Sequence, residues 1–179
     1  MDPIEFSLRI PQQARSNDDC QGIVRWIIKK TNLMLTVGRP QLAQLARNFT
    51  LYSYEPGEAV FDQGDPGDMF YIVFEGRISI EVNGNWVAEM KKGQVFGDSS
   101  LRTASARSAA AVAAHDDDAG TCKVMGLTVY DYHVIMAQYL MDQDKATFKF
   151  LSKNMSIAKG WPEFKLKTFV HQSHRQEVG

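Results

Sequence analysis

Between Leu51 and Thr128 the chain is punctuated by turn signals: Pro56-Gly57, Asp65-Pro66-Gly67-Asp68, Gly76, Asn83-Gly84 and Lys92-Gly93. The runs between them have a hydrophobic period of two. Ile78, Ile80 and Val82 alternate with Arg77, Ser79 and Glu81, which gives one buried face and one wet face. Asn83-Gly84 fits a two-residue hairpin turn, because both central positions of that turn need positive φ. Ala109–Ala114 and Lys123–Leu127 supply the last strands. Turn signals at intervals of roughly 8–12 residues point to a β-sandwich or jelly-roll barrel.

Helical spacing flanks this block. Residues 1–18 are polar, lack periodicity and read as a loose arm. Asp18 or Asp19 is expected to cap a helix whose apolar face carries Ile23, Trp26, Ile27 and Ile28. Gly38-Arg39-Pro40 breaks it. Pro40 suits a first helical turn, after which Leu42, Leu45, Ala46 and Phe49 repeat at helical spacing. Thr128-Val129-Tyr130-Asp131 resembles a capping box, and a helix is expected to follow it. A second amphipathic stretch runs from Asp142 to Lys159, stopped by Gly160-Trp161-Pro162. The expected fold is therefore α+β: an antiparallel β jelly-roll barrel flanked by N-terminal and C-terminal helices. The divisions are 1–50 for the arm and helices, 51–128 for the β core and 129–179 for the C-terminal helices.

Several function classes lose ground at once. With 44% hydrophobic and 23% charged residues, 179 residues suffice for one sizeable core. A net charge of -1 argues against a nucleic-acid polymer as partner. No apolar run reaches the ~18 residues of a membrane span, and Met1-Asp2-Pro3-Ile4-Glu5 lacks the pattern of a signal peptide. Cys20 and Cys122 lie far apart and read as reduced, buried thiols of a cytoplasmic protein. His115, His133, His171 and His174 fall outside the strand pattern, so a metal-binding barrel enzyme is not expected. The acidic loop His115–Gly120 lacks alternating calcium-ligand spacing and reads as a solvated loop. No nucleophile–base order and no phosphate loop ending in GK[ST] stands out. Residues 142–179 carry no clear helix-turn-helix.

The chemistry-bearing run is Phe96-Gly97-Asp98-Ser99-Ser100-Leu101-Arg102-Thr103-Ala104-Ser105-Ala106-Arg107. Arg107 follows Asp98 by nine residues and is flanked by small residues, including Ser108 and Ala109. Small side chains let backbone N–H groups approach a ligand, and arginine adds a permanently charged, planar donor fork. Together they can hold one small anion. Asp98 is left either to accept from sugar hydroxyls or to cap the short helix that follows. Gly97 allows close approach and positive φ.

This run resembles the phosphate-binding cassette of the cyclic nucleotide-binding domain family. Tyr54-Glu55-Pro56-Gly57-Glu58, Gln63–Asp68, Phe70-Tyr71-Ile72-Val73 and the hairpin Val82-Asn83-Gly84-Asn85-Trp86 match the same family in order, over about residues 33–141. The hairpin is similar to that of regulatory subunits of cAMP-dependent protein kinase. The resemblance implies a ligand, cAMP or cGMP, held by Phe96, Gly97, Asp98, Ser99, Ser100, Leu101, Arg107, Ser108 and Ala109, with no cofactor and no catalysis. Asp98 stands where the family has glutamate, and Ser99-Ser100 where it has Leu-Ala. Ser108 stands where threonine in the family favours cGMP, and its hydroxyl hints the same way. Val60, Val73, Val95 and Val112 are candidates for an apolar wall against the base. Trp161, Phe164 and Phe169 are candidates for a C-terminal lid. The implied function is a cytoplasmic receptor that couples ligand binding to lid movement and acts on an unidentified effector protein. The alternative is a degenerate cassette that serves as a protein-interaction module without ligand. Direct kinase inhibition is not expected, since Gln13-Ala14-Arg15-Ser16 has one arginine where an inhibitor sequence needs two.

Overall fold

Eight strands and four helices make up the described part of the chain, which in this computed structural model comprises residues 2–31, 38–101, 105–115 and 120–136, with Ser100 and Leu101 described by backbone alone. The helices are α1 (Pro3–Arg9), α2 (Asn17–Lys30), α3 (Arg39–Asn48) and α4, which opens at 129 and is described to 136. The strands are β1 (Thr50–Tyr54), β2 (Ala59–Phe61), β3 (Met69–Glu75), β4 (Arg77–Val82), β5 (Asn85–Lys91), β6 (Val95–Phe96), β7 (Ala110–Ala113) and β8 (Cys122–Thr128). Short 3-10 turns occupy Gln12–Ala14 and Asp98–Leu101.

The strands form two antiparallel four-stranded sheets, in the orders β1-β8-β3-β6 and β2-β7-β4-β5. Their inner faces share one core: Tyr71, Val73, Phe96, Cys122 and Val124 from the first, with Ile78, Ala111 and Ala113 from the second. The Asn83-Gly84 hairpin has the two positive φ values expected, 53° and 76°, and joins Val82 to Asn85. A closed barrel is a step beyond this two-sheet arrangement.

The first sheet is buried on both faces, which explains why β3 reads Met-Phe-Tyr-Ile-Val-Phe without polar alternation. Met69, Tyr71 and Val73 point into the sandwich. Phe70, Ile72 and Phe74 alternate with them and meet the helices. Trp26 of α2 packs on Phe74 at 5.0 Å between ring centroids, Phe49 packs edge-on against Phe70 at 6.1 Å, and Tyr132 of α4 meets Phe70 at 5.8 Å. Ile23, Ile27, Leu42, Leu45 and Phe49 are fully buried. At about 1.5–3 kcal/mol for each such side chain, this interface is a major part of the fold's stability.

The N-terminus departs from expectation. Residues 1–18 are no loose arm: Asp2 caps α1 by accepting from the Ile4 N–H at 2.8 Å, and Glu5, Ser7 and Leu8 are buried. Arg15, 3% exposed, donates to the carbonyls of Ser7, Leu8, Ala46, Arg47 and Phe49. One side chain thus satisfies the open carbonyls at the C-terminal ends of both α1 and α3, which a helix cannot satisfy itself. The cap of α2 is Ser16, not Asp18 or Asp19. Ser16 Oγ accepts from the Asp19 N–H, and the Asp19 carboxylate accepts from the Ser16 N–H, completing a capping box. Serine reaches back from the N-cap position better because it keeps extended φ and ψ there while Asp19 already lies in the first turn.

The Thr128 cap is found as expected. Its Oγ1 accepts from the Asp131 N–H at 3.0 Å and donates to the Asp131 carboxylate at 2.7 Å. The stretch 142–159, Trp161, Phe164, Phe169 and positions 116–119 of the acidic loop lie outside the described residues. No metal-ligand cluster occurs among the described residues, and none of the described helices is long and apolar enough to cross a membrane.

Candidate functional site

Arg107 sits where three segments converge. The turn after β2 bonds its backbone twice: Gly64 N–H donates to the Arg107 carbonyl and Arg107 N–H donates to the Asp65 carbonyl, each at 2.8 Å. That turn is itself closed by the Asp62 N–H on the Asp65 carboxylate, with Gly64 at φ 95°. The side chain runs inward, 6% exposed, between the start of β3 and the end of β6. Its Nη1 donates to the Gly97 carbonyl at 3.0 Å and its Nη2 to the Met69 carbonyl at 2.5 Å. Burial pushes its pKa down, while Tyr71, Asp68 and Asp65 act in the opposite direction. Guanidinium starts so far above neutrality that the charge is kept.

Gly97 is required by this arrangement. It follows β6 with φ 71°, and a Cβ added there would lie 2.8 Å from Arg107 Nη1 and 3.5 Å from Phe61 Cε1. Asp98, Ser99, Ser100 and Leu101 then form the 3-10 turn that was expected as a short helix. The chain re-enters the described residues at Ser105 and reaches β7 through exposed Ser108 and half-buried Ala109. Gly97 is therefore bonded to Arg107, with Phe96 before it at the end of β6 and Asp98 after it at the start of the 3-10 turn. Ser108 is exposed beside buried Arg107.

The interior beside Arg107 is aromatic. Tyr71 stacks on Phe96 at 5.3 Å and on Phe61 at 5.9 Å, and Tyr52 meets Tyr71 edge-on at 6.5 Å. Gly126 leaves room for this cluster, since a Cβ there would lie 2.8 Å from Tyr52 and 3.1 Å from Tyr71. Burial pushes the Tyr54 hydroxyl up to about 12 and raises Tyr71 as well. Of the four candidate wall valines, Val73 is fully buried in the core cluster and Val60 packs against it. Val112 alternates with inward Ala111 and Ala113, and Val95 with inward Phe96, so both lie on the outer faces of their sheets. The sequence reading missed Phe61 and the Met69 carbonyl. Phe61 carries no local signal of a site role, and a backbone carbonyl carries none at all.

The matches to known proteins agree with this geometry. Residues 51–124 match the family model of the cyclic nucleotide-binding domain. A cAMP-dependent protein kinase regulatory subunit of Debaryomyces hansenii is 43% identical over 63 residues, which is 35% of this chain and 14% of that protein. A cGMP-dependent protein kinase of Toxoplasma gondii is 32% identical over 91 residues, 50% of this chain and 9% of that one. The matched stretches thus span a small part of these relatives. The fold is similar to the regulatory domain of Toxoplasma gondii PKA solved with cAMP, with a TM-score of 0.56 and 22% identity over 71% of this chain and 49% of that one. It is also similar to the regulatory subunit of a cAMP-independent protein kinase A from Trypanosoma brucei, with a TM-score of 0.57 and 17% identity over 72% of this chain and 45% of that one.

Proposed function

We propose that the chain is a cyclic nucleotide receptor domain and not an enzyme, its two sheets closing as a jelly-roll barrel. The cyclic phosphate docks at Arg107 and the backbone N–H groups of residues 97–101. Asp98 accepts from the ribose hydroxyl, directly or through water. Ser108 offers its hydroxyl to the base, and Ala109 is one of the small residues that leave the ligand room. Ligand binding shifts the population of the helices that follow Thr128, which act as the lid, and it does so only by its differential affinity for their two arrangements. The output passes to an effector protein in the cytoplasm. The division is 1–50 for the helical support, 51–128 for the receptor core and 129–179 for the responding helices.

One observation carries this reading: a buried, charged arginine, nine residues after Asp98 in a family-matched domain, with its side chain bonded to Gly97 at the head of the same cassette. Relatives named for cAMP and for cGMP both align, so the ligand class is a purine 3′,5′-cyclic monophosphate rather than one base.

The second reading is a cassette that no longer binds and serves as a protein-interaction surface. Asp98-Ser99-Ser100 favours it, and so does a fold shared with a regulatory subunit described as cAMP-independent. Calorimetric titration of the whole chain with cAMP and with cGMP separates the two. Saturable binding of at least one nucleotide is expected. Arg107→Lys should weaken it at least tenfold, about 1.4 kcal/mol, because an ammonium cannot serve two carbonyls and a phosphate as a planar fork. A chain that takes up neither nucleotide at millimolar concentration belongs to the second reading.

A further inference from the structure

We propose that Phe61 is a positioning residue for Arg107, holding the guanidinium by its flat face so that its edge stays aimed along the cassette. The effect on nucleotide affinity rests on the receptor reading above; the hold on Arg107 does not.

A guanidinium has two kinds of surface. Its edge donates hydrogen bonds, and here the Gly97 and Met69 carbonyls accept from Nη1 and Nη2. Its faces are poorly hydrated and seek an aromatic plane. Arg107 Cζ lies 4.1 Å from the centroid of the Phe61 ring, while Tyr71 stands off at 6.0 Å. With Arg107 only 6% exposed, the contact is desolvated, which is where such an interaction is strongest.

Phe61 is itself held rigidly. Its ring lies against Tyr71 at 5.9 Å and Phe96 at 6.1 Å, with interplanar angles of 28° and 31°. Its backbone pairs with Ala111 in β7. Three and four residues later, Gly64 and Asp65 bond the Arg107 backbone. The segment from 61 to 65 therefore grips both ends of one residue. The same ring and guanidinium line the space at Gly97, where an added Cβ would lie 2.8 Å from Arg107 Nη1 and 3.5 Å from Phe61 Cε1.

The test uses Phe61→Leu and Phe61→Met, which keep an apolar side chain without a ring, and Phe61→Tyr, which keeps the ring. Two quantities are read on the whole chain: the NMR shifts of the Arg107 side chain without ligand, and the calorimetric affinities for cAMP and cGMP. Wild type and Phe61→Tyr should show the Arg107 protons displaced upfield by the ring current. Both non-aromatic variants should lose that displacement and bind about tenfold more weakly. Arg107 shifts in the leucine and methionine variants matching wild type would overturn the proposal. So would moved shifts with unchanged affinity, since Phe61 would then hold an arginine without serving the site. If wild type binds neither nucleotide, the receptor reading falls, and the NMR comparison alone still decides whether Phe61 holds Arg107.

Discussion

At the residue scale the molecule relies on two buried arginines whose charge is neutralised by carbonyl dipoles. Among the described residues, Arg15 donates to five carbonyls and ties two helix ends together; Arg107 donates to those of Gly97 and Met69 and draws β3 and β6 against the cassette. Removing such a side chain leaves buried acceptors unsatisfied, at about 1–3 kcal/mol each. Gly97 is the residue that makes room for the second arginine. Gly97→Ala forces an L side chain into φ 71° and brings a Cβ to 2.8 Å from Arg107 Nη1. A loss of about 1–3 kcal/mol in urea unfolding is expected, together with weaker nucleotide uptake. An alanine variant equal to wild type in both would mean that the cassette backbone relaxes freely around position 97.

At the scale of elements, α1 is fastened by charge. Arg9 donates to Glu5 at 2.8 Å, and Lys123 of β8 reaches Glu5 at 3.2 Å and Glu75 at 2.8 Å. The hydrogen bond from Arg9 holds the Glu5 carboxyl below its ordinary value of 4.5, with Lys123 adding to it against the cost of burial. A depressed carboxylate contributes stability that is present above its unfolded pKa and lost as pH falls through its folded pKa. Lys123 is shifted the other way, up from 10.5, chiefly by its bond to Glu75, so its contribution holds below that value and fades only in strong alkali. Glu5→Gln should therefore be less stable than wild type near neutrality, and the gap should close below about pH 4. Denaturant midpoints across that range check it; a gap independent of pH would assign the effect to packing. The Lys123 contacts were not legible beforehand, because Glu5 meets Lys123 across 118 positions of sequence and no local pattern encodes such a meeting.

At the scale of the whole unit Met1–Ile135, the first sheet separates two apolar layers, the sandwich core on one face and the helix interface on the other. Trp26 is the reporter of that interface, packed on Phe74 and 8% exposed, whereas Trp86 is 66% exposed. In a variant with Trp86→Phe and Trp161→Phe, unfolding followed by Trp26 fluorescence should coincide with loss of β circular dichroism. An earlier fluorescence transition would make α1–α3 a separately melting layer. What the sequence determined by itself was local: the turns, the Asn83-Gly84 hairpin, the helical faces of α2 and α3, the Thr128 cap and the Asp98–Arg107 spacing. All but the last follow from φ preference or from side-chain period within a few residues, and the spacing is read directly along the chain. Tertiary structure alone decided the rest. It turned a polar N-terminal stretch into a docked helix through Arg15, set Val95 and Val112 on the outer faces of their sheets, and set Phe61 beneath Arg107. Those outcomes depend on which faces meet after strands distant in sequence pair, and on the need to satisfy every carbonyl buried where they do.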